Sequence, residues 1–275
     1  MFLTKLFTKK TSGKPLKTDA KANQKERQRK SNRKGELGEY KIDIQLAQLP
    51  KDCEFISDLM IKNAKSRSGF SQVDHVIVTP FGLFVIETKN YQGKIYGNRE
   101  RKKWRINGKF EMYNPFLQNF GHIKAIQALL PEYKDVAYIS IVSFTKRCTF
   151  AVDPELRKIQ SNELIVYDTE LSEFIQRKLV LMPKLGIEPC LSSEAIKDIL
   201  ERLTKANITD SSARETHIAK IKDKIEKTNT AAKPSRKGKC KTCGKGVSEK
   251  VEKFCLSQKQ RFGGNIYCYE HQQND

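Results

Sequence analysis

The residues able to do chemistry fall into two groups, far apart in the chain. The first is Gly69-Phe70-Ser71-Gln72-Val73-Asp74-His75-Val76-Ile77-Val78. After the turn signal Thr79-Pro80-Phe81-Gly82 it continues as Leu83-Phe84-Val85-Ile86-Glu87-Thr88-Lys89-Asn90. Both runs are short and β-branched and are bounded by turn residues, so they read as strands. Side chains alternate along a strand, which places Glu87 and Lys89 about 7 Å apart on one face, shared with apolar Leu83 and Val85. Two apolar strands thus end in Asp74, Glu87 and Lys89, and burying such charges is costly unless something compensates. A divalent cation between two carboxylates compensates, and Mg2+ prefers hard oxygen ligands. The lysine would then orient a water or neutralise charge developing on a phosphoryl group. Glu36, Glu39 and Asp43 form a carboxylate stripe on a preceding helix that could supply a third ligand. For the bare D-x12-E-x-K spacing the alternative is a structural salt bridge beside a solvated acidic helix face.

The second group is Cys240-x2-Cys243 and Cys268-x2-His271, two metal-knuckle pairs with Cys255 between them. Four N/S ligands suit a closed tetrahedral Zn2+ site, which is structural because it leaves no vacancy. The two pairs are self-sufficient, so the reading takes Cys240, Cys243, Cys268 and His271 as ligands, with Cys255 in the small core or as a substitute. The apolar complement is only Val247, Val251, Phe254, Phe262 and Ile266, too little for a core without a metal staple.

Positioning the first group requires a sheet. The order read from periodicity is a helix from about Gly35 with Leu37, Tyr40, Ile44 and Ala47 as its apolar stripe, then three strands, then an Asn107-Gly108 hairpin. A helix from Pro115 carrying Phe116, Phe120, Ile123, Ile126 and Leu130 follows, then strands at 136–144 and 164–167, and helices near 170–179 and 193–206. The fold class expected is α/β, a mixed sheet flanked by helices, plus a small zinc-stapled C-terminal module. His75 points away from Asp74 and reads as a core histidine, and Trp104 as packing. The divisions are a disordered basic arm over 1–34, a core over 35–145, an α/β extension over 146–206, a polar linker over 207–237 in which Ile218, Ile221 and Ile225 could support a helical spacer, and a finger over 238–275.

Charge supports this division. The formal net charge is +20, with 52 Lys/Arg against 32 Asp/Glu; residues 1–34 hold 12 basic and 2 acidic residues, and 231–275 hold 10 and 4. A near-neutral body with basic ends is the layout of a domain with polyanion-binding appendages. No apolar run approaches the ~20 residues of a membrane span, and the opening Met1–Phe7 is too short for a signal peptide. Seven cysteines, an odd count, suit a reducing compartment with a metal site. The expected location is cytoplasmic, and no sequence feature sets an oligomeric state.

Gly35-Glu36-Leu37-Gly38-Glu39, Gln72-Val73-Asp74-His75, Gly82 to Asn90 with Gly93, and Asn114-Pro115 with Gln118-Asn119 and His122 together closely resemble the NERD (nuclease-related) domain of the PD-(D/E)xK nuclease superfamily, over about 35–145. The resemblance implies a restriction-endonuclease-like fold and a phosphodiesterase core dependent on Mg2+ or Mn2+. In it Glu39 is the helix carboxylate, Asp74 and Glu87 are the metal ligands, and Lys89 is the catalytic lysine. Gln72 and Gln118 fall on further family positions as supporting residues. The proline of the family's "PD" is absent, since Val73 precedes Asp74. The function implied is DNA hydrolysis, with the arm and the finger gripping nucleic acid. The alternatives are an RNA-processing nuclease and a non-catalytic nucleic-acid adaptor on a nuclease-like fold. Assembly of the carboxylates requires an even hairpin loop. The expected register pairs Val78 with Leu83, closing a four-residue loop and setting Asp74 opposite Glu87.

Overall fold

A computed structural model of the protein describes residues 37–231 and 238–272; the basic arm over 1–34 and the linker residues 232–237 lie outside them. The chain divides into two compact units, Met1–Thr209 and Asp210–Asp275.

The first unit opens with helix α1 (37–46). Strands β1 (Glu54–Lys62), β2 (Phe70–Thr79) and β3 (Gly82–Lys89) follow, then a run of short strands, β4 (Gly93–Gly97), β5 (Lys103–Ile106) and β6 (Phe110–Tyr113). Helix α2 (Pro115–Leu129) leads into β7 (Tyr138–Phe144), β8 (Cys148–Val152) and β9 (Glu163–Tyr167), and α3 (Leu171–Lys184) and α4 (Ser193–Ala206) close the unit. The main sheet has the order β1-β2-β3-β7-β9. Its first three strands are antiparallel and the last two run parallel to β3, so it is mixed, as expected. One face is covered by α2 and α4, with Val76, Val78, Leu83 and Val85 against Ile126, Ile199 and Leu203. The other is covered by α1 and α3, with Ile77, Phe84 and Ile86 against Ile42, Leu46, Leu171 and Ile175. The second sheet, β6-β5-β4-β8, continues the first. Residues 83–89 of β3 pair with 138–144 of β7, and after a short break 93–97 of β4 pair with 148–152 of β8 at the same offset.

The β2–β3 hairpin keeps the expected parity, with Val78 opposite Leu83, but pairing runs one step further to Thr79 and Gly82, so the loop is Pro80-Phe81 alone. No positive φ is needed at Pro80 or Phe81; the unusual dihedral is borne by Gly82, at φ 128°. The Thr79 hydroxyl donates to Gly82 O (2.9 Å) and accepts from Phe81 N (3.2 Å). The Asn107-Gly108 turn has both φ values positive, as a type I′ turn requires.

The apolar stripe expected on α1 faces otherwise than its periodicity indicates, and that on α2 holds except at Phe120. On α1 the buried residues are Ile42 and Leu46, whereas Leu37, Tyr40 and Ile44 are exposed. On α2 the buried face includes Asn119 and His122, and Phe120 is exposed. The reason for α2 is polar: the Asn119 amide donates to Val85 O (2.7 Å) and Ser140 Oγ (2.8 Å), tying the helix to β3 and β7.

The second unit holds helix α5 (Ser211–Ala231), within the stretch read as a linker, and a small module with α6 (Glu249–Ser257) and α7 (Lys259–Phe262). Cys240, Val247, Val251, Cys255, Phe262 and Cys268 form its core. Among the described residues no helix is long and apolar enough to cross a membrane.

Candidate active site and metal centre

The β3 strand is buried along its whole apolar length and becomes half-open only at Thr88 and Lys89. Glu87 therefore sits at the edge of the core, 4 % exposed. Lys89 Nζ donates to Glu87 Oε1 (2.5 Å) and to Gln118 Oε1 (3.0 Å), while Gln118 Nε2 donates to Glu87 Oε1 (2.7 Å). Gln118 lies next to Asn119, the residue that fixes α2 on the sheet, so its reach to Glu87 follows from the helix anchor. His122, one turn on, places Nε2 at 3.3 Å from Glu87 Oε2. Oε2 itself is buried and receives no well-formed hydrogen bond. Burial alone would raise the Glu87 carboxyl, but the Lys89 ammonium and then His122 outweigh it and bring it down to about 2. Burial likewise works against the Lys89 ammonium, yet Glu87, then Asp74 and Tyr91, hold it above its ordinary value. Lys89 is thus a fixed cation at neutral pH, not a base.

Asp74 shares its sheet face with Glu87. Its Oδ2 accepts from the backbone N–H and the hydroxyl of Thr88, both at 2.6 Å. Those bonds lie just past the last β2–β3 pair, His75 with Ile86, so the carboxylate takes over a donor from the end of the ladder. Burial first and Glu87 second push Asp74 up to about 7, against the two Thr88 bonds and Lys89. Two carboxylates thus lie on one sheet face beside one shared lysine.

Two further sequence-expected residues, Glu39 and Gln72, are carried by other elements or contact other groups. Glu39 is on α1, which packs on the opposite sheet face from Glu87. Gln72 Nε2 donates to Asp58 Oδ1 (2.7 Å) and not to the Glu87 group. Asp58, with φ 51°, stands opposite Asp74 where the β1–β2 pairing skips a step. Sequence reasoning missed it, because only the register shows the opposition. Thr88 and His122 are the other unassigned contributors. His122 lay within the family motif, and Thr88 between the two charged residues. His75 is 1 % exposed on the far face, with Nδ1 3.0 Å from Ser57 Oγ and 3.3 Å from Asp43. Burial lowers its imidazole to about 4 despite Asp43. Trp104 is fully buried against Phe116.

Residues 34–145 match the NERD family, the nuclease-related domain. The chain is also similar to a protein of Bacillus anthracis described as uncharacterized, 27 % identical over 199 residues, which span 70 % of this chain and 86 % of that protein. No solved structure matches the chain.

Beyond the residues that match the NERD model, the C-terminal module gathers Cys240, Cys243, Cys268 and His271 so that one ligand atom of each lies within 4.8 Å of all the others. Cys268 Sγ is 3.2 Å from His271 Nδ1, and Cys243 Sγ is 3.8 Å from Cys268 Sγ. Burial would raise the Cys240 thiol, but hydrogen bonds from the backbone of Cys268, Cys243 and Thr242 bring it down to about 6, favouring the thiolate a metal needs. Three cysteines and a histidine in this arrangement could hold a metal ion. Cys255 stays outside it, in the module's core: its Sγ donates to Tyr267 O and accepts from Tyr267 N, both at 3.4 Å, and from Gln272 Nε2 at the same distance. Among the described residues this is the only group of three or more His, Cys, Asp or Glu ligand atoms gathered so closely, and Glu39, Asp74 and Glu87 are not drawn into a comparable cage.

Proposed function

We propose that the NERD domain is a Mg2+-dependent nuclease that hydrolyses DNA phosphodiester bonds, with Asp74, Glu87 and Lys89 at its centre. The observation that carries the reading is Glu87: its Oε1 is occupied by Lys89 and Gln118, while its buried Oε2 has only His122 Nε2 at 3.3 Å, without a well-formed hydrogen bond. An acceptor in that state, beside a second carboxylate raised by burial and then by Glu87, fits a hard cation held by Asp74 and Glu87. Such an ion supplies Lewis-acid polarisation of the scissile phosphate. Lys89, held protonated, places a donor and a positive charge where negative charge builds on the phosphoryl oxygens as water adds and the P–O bond breaks. Gln118 keeps Lys89 and Glu87 in one plane of contact, and Thr88 fixes the rotamer of Asp74. Glu39 stays the helix carboxylate of the reading, carried on α1 across the sheet and outside the Asp74–Glu87 pair, and Gln72 gives support through Asp58. Cys240, Cys243, Cys268 and His271 hold a structural Zn2+, and the basic finger and arm contact phosphates.

The test is incubation of the full chain with plasmid, single-stranded, flapped and four-way DNA, with Mg2+ or Mn2+ and with EDTA. Ion-dependent cleavage that is abolished by Glu87→Gln supports the reading. No cleavage of any substrate, or equal cleavage by Glu87→Gln, overturns it.

A further inference from the structure

The β4-β5-β6-β8 sheet has one buried and one open face. Along β5 the burial alternates, with Trp104 and Ile106 inside and Lys103 and Arg105 outside. The register carries this across the sheet: Tyr96 pairs with Arg105, Arg105 with Glu111, and Lys103 with Tyr113, and directly paired residues share a face. The open face is therefore Lys94, Tyr96, Lys103, Arg105, Glu111 and Tyr113. Tyr96 is 39 % and Tyr113 53 % exposed. Lys94 Nζ lies 5.4 Å from the Tyr96 ring centroid, and Glu111 offsets one charge by pairing with Lys103 at 2.6 Å.

Charge singles out the same element. Residues 91–113 hold seven Lys/Arg against two Glu, whereas 35–204 as a whole hold 24 against 22, so the body outside this sheet segment is net acidic. The sheet is also tied to the proposed site at both ends. β4 begins four residues after Lys89, and β6 ends five residues before Gln118. Tyr96 is seven residues past Lys89 on the same run of chain, within about 25 Å of it.

Exposed tyrosines interleaved with cations on a sheet are suited to unstacked bases, which lie on aromatic rings while their phosphates meet the cations. A duplex offers phosphates but keeps its bases stacked internally. We infer that the outer face of the β4-β5-β6-β8 sheet binds single-stranded nucleic acid. The inference is independent of the nuclease reading, and the face is testable without cleavage.

The experiment uses the full chain in EDTA with a thymidine 20-mer carrying 4-thiothymidine, a uridine 20-mer carrying 4-thiouridine, and a duplex of the same length. Photo-cross-links map to peptides within 91–113 for at least one single strand, the two arms showing which sugar the face takes. Tyr96→Ser with Tyr113→Ser weakens single-strand binding about fivefold or more and leaves duplex binding unchanged. Lys94→Ser with Arg105→Ser lowers the single-strand salt slope by about 1.4. The emission of buried Trp104, the only tryptophan, reports that each variant is folded. Cross-links confined to peptides outside 91–113, or an unchanged single-strand affinity in the tyrosine variant, overturn the inference. Cross-links on this face without ion-dependent cleavage would leave the face standing and sink the nuclease reading; cleavage with cross-links only elsewhere would do the reverse.

Discussion

Replacing Lys89 by Met in the ion-free protein should destabilise the fold and reverse part of its pH dependence. The ammonium at 2.5 Å is the main reason Glu87 is held near 2 despite its burial. A drop from 4.5 to about 2 corresponds to about 3 kcal/mol favouring the ionised form. With methionine at 89 the carboxylate keeps its burial and loses its cation, and breaking a buried pair from one side costs about 3–5 kcal/mol. Wild-type Glu87 has a folded pKa below its unfolded one, so its contribution is present above about 4.5 and is lost as pH falls toward 2. In Lys89→Met burial dominates and the folded pKa moves above the unfolded one, so the contribution is present below about 4.5 and is lost as pH rises from there through the raised folded value. Urea unfolding in EDTA followed by Trp104 emission measures this. The single variant loses about 3 kcal/mol at pH 7 and regains part of it at pH 4, and adding Glu87→Gln to it restores stability at pH 7, because no charge is left buried alone. Cleavage by the folded single variant falls ~10²–10³-fold with nucleic-acid affinity kept. A Lys89→Met protein within 0.5 kcal/mol of wild type at pH 7 would show that the pair is not desolvated, and the reasoning would fail.

Three further outcomes are expected. The C-terminal module holds one Zn2+ per chain, lost in Cys240→Ser and His271→Ala but kept in Cys255→Ser; metal content by atomic emission decides, and an empty site in Cys255→Ser alone would refute the ligand set. Gly97→Ala should unfold or distort the small sheet, because a Cβ there would lie 2.1 Å from Trp104 Cδ2; a stability loss above about 1 kcal/mol with altered Trp104 emission is expected, and none would contradict the packing. Lys178 is 3 % exposed, with Nζ donating to Ile159 O (2.9 Å) and Ser161 O (2.8 Å), and burial lowers it to about 8. The unfolded chain thus binds the proton more tightly, and wild-type stability relative to Lys178→Met should rise by about 2 kcal/mol from pH 8 to 9.5; a flat difference would refute the shift.

The sheet and the shared face of Asp74 and Glu87 were legible because period-2 patterning and a Pro-containing turn constrain parity tightly. The Cys/His cluster was legible from spacing alone. Helix faces were less so. Leu37, Tyr40 and Ile44 read as a core stripe, but Ile42 and Leu46 are the buried residues, since that short helix offers apolar residues on two sides. On α2 the buried stripe includes Asn119 and His122, which a hydrophobic pattern counts as solvent-facing, although each is buried to meet a polar group of β3 or β7. Strands β4 and β8 were missed because each is five residues long and carries little apolar alternation. Asp58 and Thr88 had no local signature: one is defined by a cross-strand skip, the other by a side chain reaching across the hairpin.

The shared offset of the two parallel strand pairs has a consequence for how this chain tolerates length change. Residues 90–92 and 145–147 are matched spacers: each leaves one parallel pair and enters the next with the same three residues. A single insertion in one spacer would either loop out beside Lys89 or slide β4 against β8 by one step, turning Ile95 outward and Tyr96 into the core. Compensating insertions in both spacers would restore the pairing but move the second sheet away from the carboxylate centre. Loop length here is thus a coupled variable, set jointly by two segments 55 residues apart, and a grafted or engineered version of this core must change both spacers or neither.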